Sequence, residues 1–293
     1  MSFRVPLKRC DNGFIPTYIK YLFTSGPQPD KPAPGPQSPA PCTLIYTTKD
    51  ADLVKWIHKI ALGRKLTHIY ITHGHGDHFF GIPVIHTHFP EVKAVTTTRV
   101  LEHMKQQAEP SVYAATWEAR FPGQAYTPQL SVLASPLPPE SHRFMLEYRY
   151  VLQAVECGHS DAYDLTVLWV PDLKLAVCGD VVYGQVHQMP LEANTRAKRE
   201  GWILAVEVVE ALGPVYVVPG HKLPEDMDGV WHLAVTKRYL VDFGRIAAGN
   251  PENPNEVFAR MMELYPERFN PGALRLGAVG LFQVSERVSA LGW

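Results

Sequence analysis

The sequence of 293 residues is poor in cysteine and has no excess of either charge. Its four cysteines, Cys10, Cys42, Cys157 and Cys178, form no CxxC pair. Their spacing fits neither a zinc ribbon nor a dense disulfide framework, so we expect reduced thiols. The 28 basic and 29 acidic residues give a net charge of −1, which argues against a general nucleic-acid-binding surface.

Long apolar runs are also absent. Because no stretch reaches about 18 consecutive apolar residues, the sequence predicts no membrane-spanning helix. The N-terminal stretch MSFRVPLKRCDNGF lacks the apolar core of a secretory signal. We therefore expect a cytoplasmic protein that binds neither nucleic acid nor membrane. Since 46% of the residues are hydrophobic, the chain can bury the core of a globular fold.

Proline is concentrated near the N-terminus, where seven prolines lie within residues 27–41. Such a segment favours extended polyproline geometry and cannot pair in the centre of a sheet, so we predict an exposed loop. Three regions are predicted along the chain. They are an N-terminal segment 1–42 containing the Pro-rich loop, a core domain 43–240, and a C-terminal helical extension 241–293 packed on the core.

The apolar pattern beyond the Pro-rich loop alternates between strand and helix periods. Strands are predicted at 43–47, 69–72, 92–96, 130–133, 144–157, 165–170, 175–178 and 215–218. Helices are predicted at 52–62, after Gly81, from Thr98 as the N-cap, and at 111–121, 197–212, 230–247 and 256–265. Each half of the chain thus has strands followed by helices. This order favours two sheets packed together with helices outside, an α/β fold of αββα layering.

The segment Ile71–His78 (ITHGHGDH) directly follows a predicted strand and is rich in metal-ligand side chains. Its two glycines let the backbone turn tightly and keep side chains out of the way. Neutral imidazole nitrogen and carboxylate oxygen are ligands that zinc takes. The alternative is a polar turn in a His-rich chain, but a packing loop does not require such a set. We therefore predict metal ligands at His73, His75, Asp77 and His78.

Three later residues share one setting. His159, Asp180 and His221 each lie beside a glycine, at the C-terminal end of a predicted strand. Such strand ends are where α/β layers collect their active sites. Taken singly, each residue is more often part of an ordinary turn or a satisfied hydrogen-bonding group.

The His-x-His-x-Asp-His motif and these three residues, in this order, resemble the metallo-β-lactamase fold superfamily. The resemblance covers about residues 43–240. It implies a four-layer αββα sandwich, with 43–240 as a metallo-hydrolase core, and two zinc ions per chain, iron or manganese being alternatives. One zinc would be held by His73, His75 and His159. The second would be held by Asp77, His78 and His221, with Asp180 bridging both. The Asp-x-Gly turn of many members is missing, since Tyr46–Thr48 contains no acid.

The implied centre predicts hydrolysis. Two zinc ions, two carboxylates and a hydroxide leave about one positive charge, enough to generate hydroxide near neutral pH and to stabilise an oxyanion. We expect attack of a metal-bound hydroxide on a small amide, lactam, ester or lactone, with Asp77 as the acid/base. Asp180, rather than a cysteine, at the bridging position resembles glyoxalase, lactonase and phosphodiesterase members. The alternatives are a thioesterase or glyoxalase II-like hydrolase, a phosphodiesterase, an iron-dependent sulfur dioxygenase-like oxidoreductase, or a binding protein with a vestigial site.

Aromatic and polar residues near the motifs are candidates for contact with a small-molecule substrate. Phe79 follows the motif, Trp117 lies in a segment expected to cover the site, and Tyr183 and His187 follow Asp180. Such a mixture is typical of small-molecule sites, with ordinary core packing as the alternative. Lys222 is expected to be a solvated surface lysine. The C-terminal segment is expected to cover the core or to form a homodimer contact. Histidines without a ligand pattern are His58, His68, His86, His88, His103, His142 and His232.

Overall fold

A computed structural model describes residues 40–43, 54–55, 57–59, 65–119, 133–146, 148–223 and 226–290, without the side chains of 40–43 and 284–290. The chain forms two compact units. The first unit contains the described residues up to Val155 together with 168–172. The second contains 156–167 and the described residues from Leu173 onward. Most of the Pro-rich loop and most of the predicted strands 43–47 and 130–133 lie outside the described residues.

A four-stranded parallel sheet organises the first unit. Its strands are β1 (Ala40–Thr43), β2 (Leu66–Tyr70), β3 (Lys93–Thr96) and β4 (Ser135–Pro136), paired in that order. The carboxyl ends of parallel strands meet at one edge, so β2 delivers the metal motif there. Strand β1 begins three residues before the predicted Thr43 and includes Pro41. A proline is compatible with an edge strand, because the N–H group that it lacks can face away from the neighbouring strand and no hydrogen bond of the sheet is lost.

Helices connect these strands. They are α1 (Ile82–His88), α2 (Thr98–Ala108) and the short α3 (Pro110–Tyr113), which continues into a π-type turn at Ala114–Glu118. The predicted cap of α2 at Thr98 is wrong by one residue. Thr97 caps the helix, because its hydroxyl accepts the Val100 amide at 3.5 Å. Capping by the residue before the first helical turn satisfies one of the amides that lack an intrahelical partner.

The single strand predicted at 144–157 is wrong, because the structure has a hairpin there. Its antiparallel strands are β5 (Arg143–Leu146) and β6 (Tyr150–Gly158). The chain reverses at Tyr148, whose φ is 55°, and the Arg149 amide donates to the Leu146 carbonyl at 3.0 Å. The left-handed conformation of a tyrosine is uncommon and is not visible in an apolar pattern.

The second sheet has the order β5-β6-β7-β8-β9. It adds β7 (Leu165–Val170), β8 (Leu175–Val177) and β9 (Tyr216–Val218), and the boundary between the units falls within β6 and β7. Strands β8 and β9 are parallel, with Val177 paired to Val218. Their carboxyl ends therefore bring the segments that follow, with Asp180 and His221, to the same edge.

Four helices complete the second unit as described. They are α4 (Arg196–Ala211), α5 (Trp231–Ala248), α6 (Pro254–Leu264) and α7 (Pro271–Ala290). The first three begin within two residues of their predicted starts. Helices α5, α6 and α7 pack around a buried apolar cluster that includes Phe243, Met261 and Leu274. No helix of the described ranges combines the length and apolar character needed to cross a bilayer.

Candidate metal centre

The first unit brings together the three histidines of the motif. His73, His75 and His78 are all buried, and a 3₁₀ turn at Gly76–His78 follows β2 closely along the chain. The His73 ring centroid lies 3.9 Å from that of His78 and 5.2 Å from that of His75. Asp77 is only partly buried, and its Oδ2 lies 3.4 Å from His78 Nε2. Buried polar rings at this density are costly unless their nitrogens are used.

The two glycines of the motif are required because other side chains pack closely against them, and not because the backbone there has an unusual φ. A Cβ at Gly74 would lie 2.6 Å from the Cβ of His103, and one at Gly76 would lie 2.3 Å from the Phe80 ring and 2.7 Å from Trp117. Such distances are far inside van der Waals contact. Any larger residue at either position would therefore push these side chains away from the motif.

His103 is a site neighbour that the sequence analysis set aside. It lies on α2, is buried, and has its ring 5.7 Å from that of His75 in an edge arrangement. Its isolated position in the sequence carries no ligand pattern. The only available signal was its place beside Val100 and Met104 on the apolar face of a helix.

In the second unit, Asp180 and His221 are in contact. Oδ2 of Asp180 lies 3.0 Å from Nε2 of His221. Asp180 stands in a 3₁₀ turn after β8, and Gly179 supplies the positive φ of 49° that starts this turn. A Cβ at Gly220 would lie 2.1 Å from Asp180 Oδ1, so only glycine leaves room for the carboxylate.

Tyr183 connects two buried carboxylates in this unit. Its hydroxyl donates to Asp180 Oδ2 at 2.6 Å and lies 3.5 Å from Asp161 Oδ2. The Tyr183 ring stacks on His221 at 5.4 Å. Asp161 was missed by the sequence analysis, although it follows His159 by two residues and is fully buried. An acid so close to a predicted ligand was the available signal.

His159 follows Gly158, whose φ of 79° ends β6. Burial is the main cause that lowers the pKa of His159, and the charge of Lys198 lowers it further. The charge of Glu192 and a hydrogen bond from the imidazole to the Ser160 backbone act in the opposite direction. The imidazole is therefore neutral at neutral pH, the form that binds metals. Within the described residues, its Nδ1 is buried and makes no hydrogen bond.

Residues 58–221, more than half of the chain, match the family model of the metallo-β-lactamase superfamily. The chain belongs to this superfamily. Membership implies a metal-dependent hydrolase with the αββα fold, whose members typically bind divalent metal ions, often zinc. No curated protein matches the chain.

Solved structures of the metallo-β-lactamase fold resemble this chain at low sequence identity. A β-lactamase domain protein from Burkholderia ambifaria is 16% identical, with a TM-score of 0.56, over 85% of this chain and 78% of that one. A metallo-β-lactamase from Pontibacter korlensis is 18% identical, with a TM-score of 0.48, over 70% and 83%. FIM-1 from Pseudomonas aeruginosa, in its mono-zinc form, is 15% identical, with a TM-score of 0.48, over 73% and 81%. The similarity to the Burkholderia ambifaria protein shows the fold of this chain.

The imidazole nitrogens and carboxylate oxygens described above suit a divalent metal ion. Neutral imidazoles and carboxylates are the ligands that zinc takes, and a cation would compensate carboxylates that burial alone disfavours. The Gly220 cradle keeps Asp180 close to its backbone turn, as a fixed ligand requires. The candidate ligands are His73, His75, Asp77 and His78 in the first unit, and Asp161, Asp180 and His221 in the second.

The predicted substrate contacts occupy different environments. Phe79 is buried in the core of the first unit, with its ring 4.7 Å from that of Phe80. Trp117 is half-buried next to Gly76, and its Nε1 donates to Gln107 at 3.0 Å. Tyr183 has its hydroxyl on Asp180, which favours a positioning role. These three contacts, and the one predicted for His187, stay predictions.

Lys222 is not a solvated surface residue, so that expectation is wrong. Its side chain is 4% exposed and forms an ion pair with Asp228 at 3.2 Å. The ammonium also donates to the Asp226 carbonyl. A buried lysine that is fully engaged in this way is not available to attract a substrate carboxylate.

Proposed function

We propose that the protein is a zinc-dependent hydrolase with two metal ions, which opens a small amide, lactam, ester or lactone bond. In this proposal His73, His75 and His159 hold one ion, and Asp77, His78 and His221 hold the other. Asp180 is shared between them. Zinc bound there would supply a Lewis acid that lowers the pKa of water and polarises a carbonyl group.

The observation that carries this proposal is the support given to Asp180. A metal-bridging carboxylate must be held in one orientation, and partners outside the ligand set usually do this. Tyr183 fills that role, because its hydroxyl donates to Oδ2 at 2.6 Å. The Tyr183 backbone is itself fixed, since its amide donates to the Thr236 hydroxyl at 3.1 Å and its carbonyl accepts from the same hydroxyl at 3.2 Å.

Asp77 is the proposed acid/base. A group that moves a proton to a leaving group needs access to the substrate as well as contact with the site. The Asp77 side chain is 17% exposed, whereas that of neighbouring His78 is 1% exposed. Asp77 therefore combines contact with a ligand histidine and access from outside.

The substrate is proposed to be a small molecule. The balanced charge of the chain gives no basis for steering a polyanion. Trp117 lies against the motif at Gly76 and offers an aromatic surface for an apolar part of the substrate. We also propose a cytoplasmic location, and a homodimer contact remains a proposal for the C-terminal segment.

The test combines metal analysis with a substrate panel. Protein purified with zinc is assayed for metal content and for turnover of a β-lactam, a γ-lactone, an ester, a thioester and bis(p-nitrophenyl) phosphate. We expect about two zinc ions per chain and preference for a carboxyl substrate. Preference for the thioester or the phosphodiester would move the activity to a glyoxalase II-like or phosphodiesterase class. Oxygen consumption with a persulfide in iron-loaded protein would indicate the dioxygenase class.

A pair of histidine variants tests the link between the motif and activity. His75→Ala should lose bound zinc and rate together, since His75 is a proposed ligand. His88→Ala is the matched control, because His88 is exposed on α1 and its Nδ1 lies 3.0 Å from the Val84 carbonyl of its own helix. Retained rate after metal loss in His75→Ala would contradict the proposal.

A further inference from the structure

A surface pocket of about 360 Å³ lies in the second unit, between α5 and the end of α6 with the residues that follow it. Its apolar lining comes from Val235, Leu264 and Pro266, and the side chain of Leu264 is exposed. A volume of this size accommodates a small organic molecule. None of the residues that line the pocket is a proposed metal ligand, so the pocket is distinct from the metal centre.

A buried guanidinium group lines this pocket. Arg268 is 7% exposed, and its guanidinium lies over the Tyr239 and Tyr265 rings at 4.7 and 4.8 Å. In the described part of the chain it makes one hydrogen bond, from Nη1 to the Val186 carbonyl at 2.8 Å, and no ion pair. Because every nitrogen of a guanidinium carries N–H donors, Nε and Nη2 have no acceptor among the described residues.

The remaining donors of Arg268 are accessible. Among the described residues, no Arg268 nitrogen is both fully buried and without a partner. Nε and Nη2 therefore lie at the small accessible part of this residue, which lines the pocket. A planar fork of N–H groups with an accessible edge is the arrangement that receives a carboxylate in two parallel hydrogen bonds.

The two tyrosines stabilise the guanidinium through their rings rather than through their hydroxyls. The Tyr239 hydroxyl lies 2.9 Å from Nδ1 of His187 and also receives the Gln188 amide. The Tyr265 hydroxyl donates to Asp242 Oδ2 at 2.6 Å. Ring faces attract a cation without using its N–H groups, so the edge of the guanidinium stays available.

The positive charge of Arg268 is only partly compensated. Burial lowers its pKa, and the two tyrosines and Asp226 oppose that shift. The Asp226 carboxylate is engaged with the backbone, since its Oδ2 accepts the amides of Gln185 and Leu223 at 2.8 and 3.1 Å. A buried cation without a paired carboxylate is unfavourable, and a bound anion would reduce that cost.

Two exposed residues of opposite charge also line the pocket, Arg238 and Glu267. The side chain of Arg238 is 83% exposed, and its Nε lies 3.9 Å from Asp242 Oδ2, a weak ion pair. Asp242 is engaged at the same time by Arg245, at 3.0 Å. Two arginines against one glutamate leave the lining with a net positive charge of about one, which suits a monoanion better than a dianion.

We propose that this pocket binds a small monocarboxylate with an apolar body. The carboxylate lies at the accessible edge of the Arg268 guanidinium, with Arg238 as a second cation. The hydrocarbon part lies against Val235, Leu264 and Pro266. The site is separate from the metal centre, so this inference goes beyond the proposed function and does not depend on it.

Binding is tested with benzoate, and benzamide serves as its neutral analogue. Each is titrated into zinc-loaded protein and followed by saturation-transfer NMR, which requires no enzymatic activity. Benzoate should bind, and benzamide should bind about 10-fold more weakly or less, because it lacks the charge that strengthens the hydrogen bonds to the guanidinium. Equal binding of the two compounds, or no binding of benzoate at millimolar concentration, would overturn the proposal.

Surface variants locate the bound benzoate. Leu264→Asp should weaken binding about 10-fold or more, because it removes an apolar contact and adds a negative charge. Leu204→Asp is its matched control, since Leu204 is exposed on α4 and does not line the pocket. Arg238→Gln should weaken binding by up to about 5-fold, as expected for an exposed charge. Its control, Arg245→Gln, removes the same charge one position outside the lining.

Arg268→Lys tests the guanidinium itself. A lysine keeps the charge but lacks the planar fork, so benzoate should bind about 10-fold more weakly. Circular dichroism checks that this variant is folded, and if it is not, Leu264→Asp and Arg238→Gln decide the question. Benzoate affinity that is unchanged in both of these surface variants would place the ligand elsewhere, for example on the zinc ions, and would overturn the proposal.

Discussion

The hydroxyl of Tyr183 lies 2.6 Å from Oδ2 of Asp180. The same ring stacks on His221 and packs 5.8 Å from Trp202, whose indole donates to the Val181 carbonyl at 2.9 Å. Tyr183 thus ties two proposed ligands to the body of the second unit. Its position turns the carboxylate into a fixed group rather than a mobile one.

Tyr183→Phe should therefore weaken the site without unfolding it. The ring contacts remain, but Asp180 loses a donor, and such losses typically cost 10–100-fold in metal affinity or activity. Zinc affinity is measured by competition with a chelator, alongside kcat. Tyr148→Phe is the control, because Tyr148 is 97% exposed in the hairpin turn. Unchanged zinc affinity and unchanged kcat in Tyr183→Phe would contradict the positioning role.

Gly220→Ala should displace the carboxylate itself. The added Cβ would lie 2.1 Å from Asp180 Oδ1 and 2.6 Å from the Gly179 carbonyl carbon, so the backbone or Asp180 must move. We expect reduced zinc content and a loss of about 1–3 kcal/mol in the free energy of unfolding. Urea unfolding and metal analysis measure both.

Gly244→Ala is the matched control for this glycine. It lies inside α5, where the nearest atom to an added Cβ is Arg199 Nε at 3.6 Å. An alanine in a helix interior should stabilise the protein by up to about 1 kcal/mol. Zinc content should not change. If Gly220→Ala had the same zinc content and stability as Gly244→Ala, Asp180 would not need the space that Gly220 leaves for its carboxylate.

The strand ends beside His73, Asp180 and His221 could be predicted because strand periodicity ends abruptly at glycine beside histidine or aspartate, whereas the ligand role of these residues stays a prediction. Parallel strands then bring such ends to one edge whatever the details of packing. His103 and Asp161 could not be predicted in the same way. Their roles depend on contacts with His75 and Tyr183, which are distant in sequence. The hairpin at Tyr148 was missed for a different reason, since its turn rests on a left-handed tyrosine rather than on glycine.

Breaking the ion pair between Lys222 and Asp228 should lower the free energy of unfolding. The side chain of Lys222 is buried at 4% exposure, and that of Asp228 is mostly buried at 11%. Asp228→Asn would leave a buried ammonium without its counter-charge, a change that typically costs about 3–5 kcal/mol in unfolding free energy. Glu102→Gln is the control, because its pair with Lys105 is about half exposed and should have little effect. Equal midpoints of urea unfolding for the two variants would contradict the expectation.

The buried thiols should be unreactive in the folded protein. Burial raises the pKa of Cys157 to about 12, with a further contribution from Glu156, and raises that of Cys178 well above its usual value. At pH 8 a thiol with a pKa of about 12 is thiolate in only about one molecule in ten thousand, and the thiolate is the form that alkylates. Because the pKa is raised, reactivity should increase about tenfold per pH unit between pH 8 and 10. Iodoacetamide labelling, quantified peptide by peptide by mass spectrometry, should be negligible at both cysteines in native protein and complete in urea. Fast native labelling of Cys157 at pH 8 would show that β6 opens readily or that the thiol is not buried.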